Sequence, residues 1–397
     1  MTQKSEKKVK GKNSCIKEVP YIVTGFSRNM KAILQFMQIL NPMIDDIKKQ
    51  APIVDKLFDQ KGKEVAGRQI LAKSKLTSEE IQIIEEHFAA LRKISPSLSL
   101  LKKSSFLILI SYLEFLMKDV LKVYYYQHWE ALQDKEVKVS ITDLNVSSDI
   151  EELKKLVVEG YVDGLIYKNW QEQVKLVLKI LGIKDQDLSS DLDLINEADK
   201  RRNILIHNEG KVNQKYIRES GKNIPIGTEL KITDSYFDEV YNEIYVFGLI
   251  LLTYLSVNMK NVKALHWILE EDVFELLKKE KYSLVLKYFN SCKKIDFIDG
   301  ELETESQVNY LLALKYSGMQ KEYEKELNKI KTSHLQPIFQ LAFAVLKNDK
   351  RKFCQLISKA KLRLDEWENW PLFKEFKEDE ELSKKVYQKL KKKNAKK

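Results

Sequence analysis

The 397-residue chain has few helix breakers, with 13 glycines and 7 prolines. That scarcity withholds the turn punctuation that sandwiches, barrels and collagen-like repeats need. Its three cysteines, Cys15, Cys292 and Cys354, are odd in number, far apart and in no paired motif. They exclude a disulfide framework and fit a reducing cytoplasm. The five histidines, at 87, 128, 207, 266 and 334, are too scattered for a His-x3-His pair, so neither metal nor cofactor is expected. "SGK" at 220–222 lacks the upstream glycine of a phosphate loop, Tyr216 standing in its place, and no G-x-S-x-G or G-x-G-x-x-G occurs. The most apolar runs, "FLILISYLEFLM" (106–117) and "YVFGLILLTYLSV" (245–257), fall short of the roughly 20 residues of a membrane span and read as core helices. No apolar stretch follows the first lysines, so no secretory signal and no membrane partner are expected.

What the chain has is Lys, Glu, Leu and Ile, which predict a mostly α protein. The net charge of +10 is concentrated at the ends. Residues 1–17 contribute +5 and residues 384–397 contribute +8, which leaves the body between them at −3. Such lysine-rich ends read as solvated tails that add salt-sensitive attraction to phosphate.

Four regions are expected: a basic tail with a helical extension (1–95), a helical domain (96–260), a helical-repeat region (261–383) and a lysine-rich disordered tail (384–397). The first boundary rests on "SPSLS" at 95–99, read as a break. Thr77 or Ser78 can cap the helix before it, Gly182 a helix C-terminus, and Ser189, Ser190 or Asp191 the start of the next helix. Residues 211–233 read as a loop or small hairpin. In the repeat region, 309–330 and 339–360 superpose at an offset of 30: Leu311 on Leu341, Leu314 on Ala344, Tyr323 on Phe353 and Leu327 on Ile357, with Gly318 facing Asn348 in the turn. That is a helical-hairpin repeat similar to a tetratricopeptide array, a surface suited to a protein partner. "EWENWPLFKEFKEDEEL" reads as its capping segment. The aromatics of "VYYYQHW" (123–129) could stack bases, or pack as core.

The chemistry centres on "RRNILIHNEG" (201–210). Leu194, Ile195, Ala198 and Leu205 step along one helix face, and the missing member of that stripe falls on Arg201 or Arg202. A guanidinium aimed at an apolar interior needs a partner. A buried carboxylate such as Glu114 can supply it, with His207 an ordinary helix end. Alternatively Arg and His converge on a phosphodiester: His moves protons near neutrality, Arg meets the developing phosphorane charge, and no metal is needed.

Arg202, four intervening residues and His207 match the Arg-x4-6-His motif of the HEPN superfamily, and the chain from about 100 to 260 resembles its members. Asn203 beside the arginine, "HNEG", "VNQKYI" and "GTELKITDSYFDEV" running into an apolar helix extend the likeness. The resemblance implies a helical bundle and a metal-independent RNA endonuclease that cleaves by 2′-hydroxyl attack. Its setting would be antiphage defence or a toxin system, and transfer RNA is among the candidate substrates. It implies His207 as general acid/base and Arg202 as the phosphate-stabilising residue, with Arg201 as second choice by spacing. Asn203 would be the polar neighbour, Asn208 a ligand to phosphate or an orienter of the imidazole, and Glu114 the acid that orients the arginine. It also implies a homodimer, in which two motifs supply an acid and a base. The alternative expectation is a non-catalytic module that dimerises and binds RNA or protein.

Overall fold

The structure, a computed structural model, describes residues 17–39, 41–65, 68–71, 76–137, 140–142, 149–166, 169–297 and 299–394. Cys15 and the first sixteen residues lie outside them. The chain is overwhelmingly helical. Among the described residues the strands are those of one antiparallel hairpin, β1 (Gly62–Val65) and β2 (Arg68–Leu71), with Gly62 opposite Leu71 and Val65 opposite Arg68. The first helices are α1 (Val19–Met37), α2 (Asn41–Lys61), α3 (Ser78–Gln127), α4 (Ile150–Ile166) and α5 (Trp170–Leu181). After them come α6 (Leu192–His207), α7 (Gln214–Ser220) and α8 (Asp234–Asn258).

The described residues form two compact units, each discontinuous in sequence. The motif unit draws on 28–114 and 192–244, the repeat unit on 17–27, 115–191 and 245–394. The linear division at 95 and 260 therefore gives way to one in which α1, α3 and α8 each contribute to both units.

Several local expectations need correcting. No break occurs at 95–99: α3 runs through Pro96 as one 50-residue helix. Ile94 and Leu101, both buried, hold it on either side of the proline, and such packing offsets the roughly 3 kcal/mol an interior proline costs. Its start is as expected, since Thr77 Oγ1 accepts from Glu80 N at 3.2 Å and Glu80 Oε2 accepts from Thr77 N at 2.8 Å, a capping box. The 211–233 segment is a loop that contains the short helix α7, with Lys211 bridged to Glu229. Residues 384–394 are helical rather than disordered, because Leu382, Val386 and Leu390 recur every fourth residue and bury one face.

The helix α8 is long and apolar enough to cross a membrane, contrary to the expectation that its core run is too short. In the fold, 83 % of that apolar window is buried, so here α8 is a core helix. Its Gly248 lies against the Phe26 ring, and a Cβ there would collide with the ring. Gly248→Ala is therefore expected to destabilise the protein by about 1–3 kcal/mol, read as a lower urea midpoint.

In the repeat unit, α9 (Val262–Trp267) continues through a π-helical turn (Ile268–Val273) into α10 (Phe274–Lys278). Then follow α11 (Tyr282–Ser291), α12 (Gly300–Tyr316), α13 (Gln320–Lys329), α14 (Pro337–Leu346), α15 (Lys350–Leu356), α16 (Leu364–Asn369), α17 (Lys374–Glu378) and α18 (Glu380–Asn394). Between residues 260 and 349 one joint recurs. Lys260, Glu280, Gly318 and Asn348 all have positive φ, at 52°, 56°, 73° and 54°. The next N–H in each case reaches back five residues: Asn261 to Ser256 at 2.8 Å, Lys281 to Leu276 at 2.9 Å, Met319 to Leu314 at 3.1 Å and Asp349 to Ala344 at 2.8 Å. Five residues beyond each joint, Leu265, Val285, Tyr323 and Phe353 are buried. The superposition of 309–330 on 339–360 thus extends to further hairpin joints that the residue match did not show. Gly318→Ala places a side chain in the left-handed region and is expected to cost about 1 kcal/mol, measured as a fall in melting temperature. Phe353 meets Trp367 and Phe376 at centroid distances of 5.9 and 5.1 Å, an aromatic cluster over the last hairpin.

Candidate functional site

Besides Ile195, Ala198 and Ile204, α6 buries Asn196, Glu197 and Asp199. Carboxylates leave water only where donors meet them. Glu197, 1 % exposed, accepts from Arg201 Nε at 2.8 Å, from the Tyr236 hydroxyl at 2.5 Å and from the Tyr216 hydroxyl. The Arg201 guanidinium stacks 3.7 Å from the centre of the Tyr236 ring and donates to the Lys231 carbonyl at 3.4 Å. Burial works against the charged form of Arg201, but Tyr236 and Glu197 outweigh it and hold the guanidinium above its ordinary pKa. Burial first and Glu197 second push both tyrosines up, so their hydroxyls stay protonated donors. Arg201 is thus tied to Glu197 and Tyr236.

Arg202 is one residue on, about 100° around the helix, and finds different partners. Its Nη1 lies 2.8 Å from Glu114 Oε2 on α3, and its Nη2 lies 2.7 Å from Asp199 Oδ1. The other Asp199 oxygen pairs with Lys200 Nζ at 3.0 Å. The Arg202 Nε is buried with no hydrogen-bond partner among the described residues. Three acids, Glu114, Glu197 and Asp199, face three bases, Lys200, Arg201 and Arg202. The network therefore closes without surplus positive charge.

His207 is the last residue of α6 and is exposed; its imidazole makes no hydrogen bond or ion pair among the described residues. Five residues of helix turn about 500°, so His207 and Arg202 leave the axis about 140° apart. On one chain the two side chains do not share a helix face. Beyond His207 the chain reverses sharply, with Glu209 and Gly210 at φ 54° and 79° and the Gly210 N–H donating to Ile204 O at 2.9 Å. The Asn208 amide donates to the Lys211 carbonyl at 2.5 Å and so holds this turn. It does not bond the imidazole. Asn203 is half-buried, and its side chain makes no hydrogen bond among the described residues. Below the turn, Ile204, Val212, Tyr216 and Leu230 form a small core that fixes the end of α6.

The structure therefore joins Arg202 to Glu114, ties Arg201 to Glu197 and Asn208 to the Lys211 carbonyl, and leaves His207 apart. The sequence reading missed Glu197, Asp199, Tyr216 and Tyr236. A signal for the two acids was present, since Glu197 with Arg201 and Asp199 with Arg202 stand at helical spacings of four and three. The tyrosines carried none. The "VYYYQHW" aromatics pack among themselves and against α4: Tyr125 is buried and meets the Tyr161 ring at 5.1 Å.

A second titratable group, also missed, lies in the repeat unit. His266 Nδ1 is 3.5 Å from Glu270 Oε1, and Glu305 on α12 joins them. Burial, with Glu270 next to it, pushes the Glu305 carboxyl up to about 7. The spacing His266-x3-Glu270 was visible in "HWILE", but Glu305 is distant in sequence. Compared with protein-family models, curated proteins and solved structures, the chain matches none.

Proposed function

We propose that the chain is a HEPN-type RNA endonuclease that works without a metal, with His207 as general acid/base and Arg202 as the donor to phosphate. The observation that carries this reading is an exposed His207, without a side-chain partner among the described residues, at the end of a helix whose Arg202, five residues earlier, is held by two carboxylates. In the proposed reaction His207 takes the proton of a 2′-hydroxyl, the 2′-oxygen bonds to phosphorus, and the bond from phosphorus to the 5′-oxygen breaks. The partner subunit's His207 protonates the leaving 5′-oxygen, giving a 2′,3′-cyclic phosphate and a 5′-hydroxyl. Glu114 and Asp199 would fix the guanidinium, and the second N–H of each Nη would be its donor to phosphate.

A homodimer follows from the need for both an acid and a base. Support comes from exposed apolar side chains in the motif unit: Ile206 beside His207, and Leu100 and Ile108 on α3. RNA of the transfer-RNA class is the proposed substrate, attracted in part by the lysine-rich ends. A toxin or antiphage role in the cytoplasm, with a protein partner on tetratricopeptide-like hairpins, completes the proposal.

The closed charge network favours a second reading, in which the unit dimerises and binds RNA or protein without cleaving. A phosphate must compete with Glu114 and Asp199 for Arg202, and truncating either acid then strengthens RNA binding. Growth on expression separates the two readings. A nuclease is expected to slow its host and to be tolerated as His207→Ala; equal growth with either form favours the binding module.

A further inference from the structure

The π turn at 268–273 adds a residue to its helix, and such turns persist where they re-aim a side chain. Asp272 anchors it from within, accepting from Ser27 Oγ at 2.5 Å and from the Tyr245 hydroxyl at 2.7 Å. On its outer side the turn carries Glu270. One ligand atom each from His266, Glu270 and Glu305 lies within 4.8 Å of the others. Two carboxylates this close repel unless a proton or a cation stands between them.

Glu270 and Glu305 line a cleft of about 370 Å3. Asn309, four residues after Glu305 and so on the same face of α12, lines it too. Asn309 is 2 % exposed, and its amide nitrogen has no partner among the described residues. The Trp370 indole N–H on the cleft wall is likewise buried and unbonded. The imidazole of His266 beside the two carboxylates sets this group apart from an acidic surface patch, while Asn309, Trp370 and Arg363 give the cleft donors for an anion or water.

We infer that His266, Glu270 and Glu305 bind one zinc-class divalent ion at the edge of this cleft, leaving a fourth position for water or a cleft ligand. An imidazole with two carboxylates is a donor set of that class, and three protein ligands leave a coordination position open. Ligands about 2.0–2.1 Å from an ion at the tetrahedral angle stand about 3.3 Å apart. The 3.5 Å between His266 Nδ1 and Glu270 Oε1 already approaches that edge.

The test uses full-length, untagged protein, stripped with chelator, desalted and titrated with Zn2+ by calorimetry. One tight equivalent is expected. His266→Ala, Glu270→Gln and Glu305→Gln should each weaken it on the order of tenfold or more, while His334→Ala and His207→Ala keep it. Zn2+ should raise the melting temperature of the parent protein but not of these three variants. Glu270 is exposed, so Glu270→Gln carries the test should Glu305→Gln fold poorly. Unchanged affinity in Glu270→Gln, or no equivalent in the parent beyond that of a Glu270→Gln/Glu305→Gln protein, overturns the site. Neither result bears on RNA cleavage, which is proposed to proceed with chelator present.

Discussion

Under the proposed mechanism His207→Ala is expected to lower RNA cleavage by about 10²–10⁴-fold, the usual contribution of a positioned acid/base, and to leave stability within about 0.5 kcal/mol. Both halves follow from position. The imidazole is exposed at the end of α6 and holds no other group among the described residues, so its removal breaks no contact that folding needs. Arg202→Ala is the less clean probe. It would also leave Glu114 and Asp199 without their shared guanidinium, and part of any lost activity would then be lost structure. Arg202→Lys keeps the charge but not the fork that spans two carboxylates, so it should behave like a partial loss. Initial rates on labelled RNA, beside urea unfolding of each variant, separate the contributions.

Glu197→Ala carries the largest expected stability effect, about 3–5 kcal/mol, because it removes one partner of a buried ion pair and leaves the other uncompensated. Arg201 would lose its carboxylate while still packed on Tyr236, and the Tyr216 and Tyr236 hydroxyls would lose their acceptor. Tyr216 also belongs to the small core under the 208–210 turn, so the damage should spread to the end of α6. Glu197→Gln keeps an acceptor oxygen and should cost less than Ala. Urea unfolding reads these differences directly, and a loss below about 1 kcal/mol would show the pair to be an ordinary surface bridge.

How much of this was legible in the sequence differs from place to place. Helices, caps and turns were, because they are local: Thr77 as a helix cap, Gly182, and the match of Gly318 with Asn348 follow from backbone requirements within a few residues. At 95–99 the propensity of proline points to a break, whereas packing at Ile94 and Leu101 keeps the helix whole. The terminal lysines mask the stripe of Leu382, Val386 and Leu390, because the charges stand between the apolar residues of that face. At the candidate site, the stripe interrupted by arginine correctly marked a place where charge enters the core. Which arginine does what could not be read, since that depends on Glu114, Tyr216 and Tyr236, which lie 88, 15 and 35 residues from Arg202, Arg201 and Arg201. The His266, Glu270 and Glu305 group was lost for the same reason, its third member lying on another helix.

The most direct measurement incubates the purified protein and its His207→Ala variant with transfer RNA in excess chelator and identifies the fragment ends. Fragments ending in 2′,3′-cyclic phosphate from the parent, with cleavage by the variant reduced by about 10²–10⁴-fold, are expected. Equal fragmentation by both, or none by either, contradicts a His207-dependent, metal-independent nuclease.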